Sequence, residues 1–422
     1  MKKIYTVAII GVGARGGDVY GSLMADREDR FKIIALCDKR ESKLSVFGEK
    51  FGVSPDARFN NEEDFFKEKR ADLLVVATLD KDHTRHCLKG FELGYDILTE
   101  KPLTDDKAEC EALLEAQKKS GKKAFVCHVL RYAPAFVKMA EVLEKGELGQ
   151  LIAIDALERV GYPHQAHSYV RGNWRNLEVS APMILAKCCH DLDLLQWYAN
   201  SKCKSISSVG DLAYLKKENA PEGSTARCLD CPHVESCPYS AKKHYIDNWK
   251  YCNCPEDRWP YNVVTQAPTT EEKIMKALRE GPYGRCVYRC DNDVVDHQIT
   301  TMTFENGVKA TLTMTAYTAF GGRRYVFFGS NGDMILDEES DTLTIRKFNS
   351  SPETYTISEM ITDEKGYGHG GGDAKLIEQL YEILEGNVTG KTSFEASVES
   401  HLMGICAEES RIKGGELIYL HE

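Results

Sequence analysis

The apolar run Ile4 to Ile10 ends in Gly11-Val12-Gly13-Ala14-Arg15-Gly16, and this junction restricts the fold more than any other stretch of the chain. A near-continuous run rich in β-branched residues is how a parallel strand covered on both faces reads. Gly11 permits a tight turn, Gly13 lets the backbone approach a pyrophosphate, and Gly16 allows a helix, roughly Gly16 to Ala25, to pack closely. With Ala14 and Arg15, these glycines place helix N–H groups where phosphates bind. Phe31 to Cys37 reads as the next strand and ends in Asp38, where a carboxylate can accept hydrogen bonds from both hydroxyls of an adenosine ribose. Asp38 repels a 2′-phosphate and so favours NAD, whereas Lys39 and Arg40 beside it leave NADP open.

The alternation continues. A helix at about Glu41 to Phe51 precedes the strand Ala71 to Thr78, the helix Lys81 to Gly94, the strand Asp96 to Thr99, the helix Asp105 to Ser120 and the strand Lys123 to Val126. This rhythm predicts an α/β, doubly wound parallel sheet of the Rossmann type over residues 1–127. Ligands of such sheets bind beyond the carboxyl ends of the strands, so Thr78, Asp80, His83, Glu100, Lys101, Pro102 and His128 reach one edge. Lys101, fixed by the following proline, is expected to point at the nicotinamide end of the cofactor. Thr78, His83 and Glu100 are candidate cofactor contacts.

With Gly11 to Gly16, Asp38, Ala77-Thr78, His83, Glu100-Lys101-Pro102 and Cys189-His190-Asp191, the chain resembles the glucose-fructose oxidoreductase, inositol dehydrogenase and rhizopine-catabolism family (Gfo/Idh/MocA) over essentially its whole length. The resemblance implies a second domain with a large open mixed sheet, a sugar or cyclitol substrate, and a homodimer or homotetramer formed through that sheet. In the inositol dehydrogenases a carboxylate stands one helical turn before the histidine. Here that position is Ala186, with Lys187 next to it, so whatever assists His190 differs.

Residues 128–422 agree with an α+β domain on their own pattern. Leu151 to Arg159, Arg285 to Val294, His297 to Phe304, Val308 to Tyr317, Arg324 to Phe328, Met334 to Asp337 and Thr342 to Phe348 are strand-like, with hairpin signals at Asn306-Gly307 and Asn331-Gly332. Ser180 and Pro182 suggest the start of a helix running to about Tyr198. Along it Lys187, His190 and Asp191 stand at i, i+3 and i+4 and would share a face. Oxidising a secondary alcohol removes a hydride from carbon and a proton from oxygen, and an imidazole suits the proton. His190 is therefore the candidate base, Lys101 the candidate donor to the same hydroxyl, and Lys187 a candidate assistant. Arg131, Tyr132, Trp174, Arg175, His297 and His369 could bind a polyol through hydrogen bonds and flat aromatic faces, although each also reads as an ordinary structural residue.

Fifteen cysteines occur, and seven of them fall between Cys228 and Cys290. Without a secretory signal a disulfide framework is a poor default. Within an insertion at about 201–282, the spacing Cys228-x2-Cys231-x5-Cys237 suits a structural zinc completed by Cys252 or Cys254; an iron–sulfur cluster and free thiols are the alternatives. A formal charge of −11, with signs mixed along the chain, argues against nucleic acid. No apolar stretch is long enough to span a membrane, and a cytoplasmic enzyme is expected. Three functions fit: an NAD(P)-dependent dehydrogenase of a sugar or cyclitol, a glycosidase that uses NAD for transient oxidation, or an inactive cofactor-binding regulator.

Overall fold

The computed structural model of the protein describes residues 3–252, 259–265, 268–362, 368–388, 390–391 and 393–421. Strand β1 (Tyr5–Ile10) pairs in parallel with β2 (Phe31–Cys37) on one side and β4 (Leu73–Val76) on the other. Flanked on both edges and covered on both faces, it buries Val7, Ala8 and Ile9 completely. With β3 (Arg58–Phe59), β5 (Asp96–Thr99) and β6 (Ala124–Val126), these strands form a six-stranded parallel sheet of order β3-β2-β1-β4-β5-β6. The chain winds outward from β1 to β3 and then returns to β4, so the order reverses between β1 and β4. That switch point is where such sheets bind ligands.

The helices follow local signals. Lys107–Ser120 begins on Asp106, whose side chain accepts the Glu109 N–H, and stops at Gly121 in the left-handed region. The helix after the glycine turn differs from expectation. Ala14–Gly21 is wound as a π-helix, and only Ser22–Ala25 is α-helical.

The second sheet has nine strands: β7 (Leu151–Arg159), β8 (Cys203–Asp211), β9 (His297–Phe304), β10 (Lys309–Thr315), β11 (Gly322–Gly329), β12 (Gly332–Asp337), β13 (Thr342–Lys347), β14 (Glu353–Thr356) and β15 (Ile418–Tyr419). Their order is β14-β13-β12-β11-β7-β10-β9-β8-β15, with β7 and β10 parallel and the other pairs antiparallel. The hairpins at Asn306-Gly307 and Asn331-Gly332 join β9 to β10 and β11 to β12, and of these four residues only Gly307, at φ +92°, lies in the left-handed region. Helices Pro134–Glu144, Cys189–Ala199 and Phe394–Ile412 cover one face, and Phe136, Leu192, Leu195, Met314, Tyr325, Phe327 and Met403 share the core between them.

Three readings of the second half are corrected. Arg285 to Val294 is no strand; it makes one bridge, Arg227 to Arg285, and buries Cys286, Val287 and Tyr288 against the insertion. The serine-rich β8 and the short β15 are strands that apolar alternation does not reveal. The helix expected from Ser180 to Tyr198 is two pieces, Met183–Ala186 and Cys189–Ala199, the first starting after Pro182 without a side-chain cap.

The chain ends by tying both sheets together. Helix Gly372–Leu384 packs on the first sheet, where the Tyr381 ring meets Tyr5 and Phe31 edge-on. Phe394–Ile412 places Phe394 and Val398 in the first core and Met403 and Cys406 in the second.

Candidate active site

Gly11 closes β1 with φ +87°, and a Cβ there would collide with the Ala77 carbonyl on the neighbouring strand end. A Cβ on Gly16 would collide with the Gly11 carbonyl. Backbone proximity therefore demands glycine at both positions. At Gly13 an added Cβ would meet nothing within 4 Å except Arg40 Nη2, at 3.5 Å, which leaves the turn open to a phosphate. Asp38 stands beside this turn. Its Oδ2 accepts the Val12 N–H at 3.0 Å, its Oδ1 accepts the Arg40 N–H at 2.9 Å, and the Arg40 guanidinium closes a fork on both oxygens at 2.9 and 2.8 Å. Burial opposes the charge, but the Arg40 and Val12 hydrogen bonds hold the carboxyl below the usual carboxylate range. A glycine cradle and an ionised carboxylate one strand away fit the pyrophosphate and ribose of NAD.

The strand ends beyond it are fastened to one another. Fully buried His83 faces the Pro102 carbonyl with Nδ1 at 2.6 Å and the Thr78 carbonyl with Nε2 at 3.1 Å. The ring thus spans the Thr78 and Lys101 loops from the inside. Thr78 Oγ1 lies 3.1 Å from His86 Nδ1.

Arg15 and Glu100, both expected near the cofactor, pair with each other beside the glycine turn. Arg15 Nε donates to Glu100 Oε1 at 2.6 Å, Nη2 donates to Asp373 Oδ1 at 2.6 Å, and the guanidinium lies 4.6 Å over the Tyr20 ring. The Tyr20 hydroxyl donates to the same Glu100 oxygen at 2.6 Å. Burial disfavours the Glu100 charge, yet Arg15 and Lys101 keep it ionised and below the usual range. Tyr20 was missed because an α-helical period separates residues 15 and 20, whereas π winding makes i and i+5 neighbours.

Lys101 leaves this network toward the second unit. Its Nζ donates to the Ala186 carbonyl at 2.9 Å, and its own N–H to Glu100 Oε2 at 3.0 Å. Ala186 ends the short helix Met183–Ala186, whose final carbonyls lack helical partners, so the ammonium acts as a cap supplied from the first sheet. Where the inositol dehydrogenases are expected to place a carboxylate, this chain offers that carbonyl.

Three imidazoles gather next to it. The His190 ring lies 5.7 Å from that of His369 and 6.2 Å from that of His128. His190 is buried, and its Nδ1 makes no hydrogen bond. Burial first, and then the positive Lys101, push its pKa well below the ordinary imidazole value, so the ring is neutral at physiological pH. His369 Nδ1 stands 3.0 Å from Asp373 Oδ2, which continues the chain Glu100–Arg15–Asp373 to the edge of His190. Half-buried His164 is also held neutral, by burial and then by nearby Lys187, His167 and Lys101. Trp174 approaches the same edge, its Nε1 donating to Asp80 Oδ1 at 3.2 Å.

Lys187 does not share the face of His190. Its Nζ lies 3.0 Å from Glu158 Oε1, and Arg323 bridges Glu158 at 2.9 Å to Asp191 at 2.9 Å, with the Tyr325 hydroxyl on the same aspartate at 2.8 Å. The break in the helix turns Lys187 and Asp191 onto the second sheet and His190 onto Lys101. Glu158 and Arg323, both missed, lie on strands whose inward side no local pattern marks as ionic.

Other expected substrate contacts have protein partners of their own. Arg131 is buried in a fork on Asp193 at 2.7 and 2.8 Å and also donates to the Lys391 carbonyl, leaving little for a polyol. Tyr132 is buried in the first core. Arg175 pairs with Asp291 at 2.9 Å, and His297 with Asp296 at 3.0 Å, neither of them in the histidine cluster. Of the expected metal ligands, Cys254 lies outside the described residues, as does the side chain of Cys252. Among the described residues no three Cys, His, Asp or Glu side chains stand at metal-ligating positions as placed, and no helix is long and apolar enough to cross a membrane.

Comparison with known proteins agrees with this fold. A family described as an oxidoreductase family with an NAD-binding Rossmann fold matches residues 5–128, and its C-terminal alpha/beta domain matches residues 140–416. The protein YteT of Bacillus subtilis (strain 168) is 22% identical over 98% of this chain and 99% of its own length. Inositol 2-dehydrogenase of Corynebacterium glutamicum is 26% identical over 49% of this chain, which spans 57% of that enzyme. An oxidoreductase from Agrobacterium radiobacter, solved with NAD+, L-tartaric acid and magnesium, shares the fold with a TM-score of 0.70 at 13% identity, covering 99% of each chain. With both of its halves matched in order, the chain belongs to the Gfo/Idh/MocA oxidoreductase family.

Proposed function

We propose that this oxidoreductase moves a hydride between NAD and a secondary alcohol carbon of a sugar or cyclitol. The observation that carries the reading is the meeting of Lys101, held by the Ala186 carbonyl, with a neutral, buried His190 at the sheet edge where the glycine cradle opens. Bound NAD would supply the hydride acceptor. Gly13 and Asp38 hold its pyrophosphate and ribose, and Lys101 Nζ donates to the substrate hydroxyl. His190 then takes the hydroxyl proton as the carbon gives up its hydride. His369, fixed by Asp373, and His164 with Trp174 supply further hydrogen bonds and a flat face for a polyol. The names of the relatives, an inositol 2-dehydrogenase and a tartrate-bound oxidoreductase, support a polyhydroxylated substrate.

NAD is favoured over NADP because the Arg40 guanidinium is already forked on Asp38, so its charge is neutralised there and is not free for a 2′-phosphate. The purified protein should reduce NAD+ with at least one member of a panel of sugars, cyclitols and aldonates. Following free aglycone from a parallel set of glycosides separates the readings: NADH formation supports the proposal, whereas aglycone without NADH, or neither, overturns it.

A further inference from the structure

Away from the histidine cluster, four cysteines line one cavity of about 20 Å³ in the insertion. Cys228, Cys231 and Cys237 come from a single loop. The fourth, Cys286, lies far along the chain in the segment that reads as a strand but is none. Its place is set by backbone pairing: Arg227 bridges Arg285, and the Cys286 N–H donates to the Ala226 carbonyl at 2.9 Å. Tyr239 and Tyr288 close the sides.

A second observation points the same way. Arg171 is fully buried, and among the described residues it forms no ion pair with a carboxylate. Its Nε donates to the Arg285 carbonyl at 2.8 Å, its Nη2 to the Tyr239 carbonyl at 2.7 Å and to Cys228 Sγ at 3.4 Å, and its Nη1 makes no hydrogen bond. A guanidinium withdrawn from water without an anion is strongly destabilising. The carbonyls it touches are neutral and burial keeps the nearby Tyr245 phenol protonated, so the thiols are the groups at hand that can carry the opposing charge.

We propose that Cys228, Cys231, Cys237 and Cys286 bind one zinc ion as a tetrathiolate, and that this centre is the counter-charge of Arg171. Zinc enters as a dication and four thiol protons leave, so the centre carries two net negative charges beside the guanidinium. Binding would draw the four thiolates together around the ion, and four cysteine ligands without other donors are the set a structural zinc takes. In this proposal Cys286, and not Cys254, is the fourth ligand. Arg171 also ends the segment that carries His164 and Tyr169, so the metal would steady one wall of the proposed substrate site.

The test is elemental analysis of full-length protein purified without added metal. About one zinc per chain is expected, falling below about a fifth in Cys286→Ser and staying near one in Cys254→Ser. Should Cys286→Ser fail to fold, cobalt is exchanged into the wild type, where the visible bands of tetrahedral thiolate-bound cobalt are expected. No metal either as purified or after anaerobic zinc titration, iron with acid-labile sulfide, cobalt without thiolate bands, or zinc lost in Cys254→Ser but kept in Cys286→Ser would each overturn the proposal.

Discussion

Arg131 shows how a residue type that suits sugar recognition can serve the core instead. Its charge is buried against Asp193, and removing one partner of such a pair leaves the other uncompensated. Arg131→Ala is therefore expected to cost about 3–5 kcal/mol in urea unfolding while leaving KM within about twofold, because the loss is of folding rather than of a substrate contact. A large rise in KM with unchanged stability would restore the substrate role. Nothing near Arg131 in sequence announces Asp193, which comes from the helix bearing His190. His190 carries its own expectation. Its folded pKa is depressed, so it remains an unprotonated base as pH falls through the ordinary imidazole range. The acid limb of kcat/KM should accordingly lie below about pH 6.5, and a limb at 7 or above would count against His190 as the base.

Among elements, those whose causes are local were legible. β1, the glycine turn and β2 with Asp38 sit in unbroken succession, and each is specified by its own residues. Gly16→Ala is expected to abolish NAD binding in calorimetry, since its Cβ would meet the Gly11 carbonyl and move the helix off the turn. Retained binding would show that the close approach is dispensable. Elements with distant causes were not legible. The break after Ala186 places its carbonyl under Lys101, an ammonium supplied by the other sheet, so helical periodicity ran on through it. Likewise, the segment from Arg285 has the alternation of a strand, but its apolar side chains are claimed by the insertion. The glycine turn, Asp38, Lys101 and His190 could thus be named in advance, whereas the network Arg15–Asp373–His369 required the fold to bring the chain's last third back to its first turn.

At the scale of the whole molecule, two surfaces have consequences. The sheet face opposite the covering helices presents Val209, Ile299 and Phe328, each about half exposed, with Val209 and Ile299 directly paired. Apolar side chains on an uncovered sheet suit a self-complementary contact, and we propose that two or four chains associate through it. Light scattering should find that assembly in the wild type and single chains in Ile299→Glu/Phe328→Glu; a monomeric wild type would contradict it.

The interior, for its part, holds His86, His128, His167, His190 and His401 buried, each with its pKa depressed chiefly by desolvation, to about 3 in His86, His167 and His401. Above the unfolded value near 6.5 both states are neutral. Below it the unfolded chain takes protons that the folded chain refuses, so stability falls by up to about 1.4 kcal/mol per histidine per pH unit. The Tm should drop between pH 7 and 5.5, before carboxylates titrate, and a flat Tm there would contradict the burial.

Lys101 joins the two sheets at the point where the chemistry is proposed to occur, so Lys101→Met, assayed by NAD+ calorimetry alongside turnover of the identified substrate, tests the account most directly. NAD+ affinity within about threefold of wild type, with turnover reduced by at least about a thousandfold, is the expected result. Turnover near wild type in that variant would contradict it.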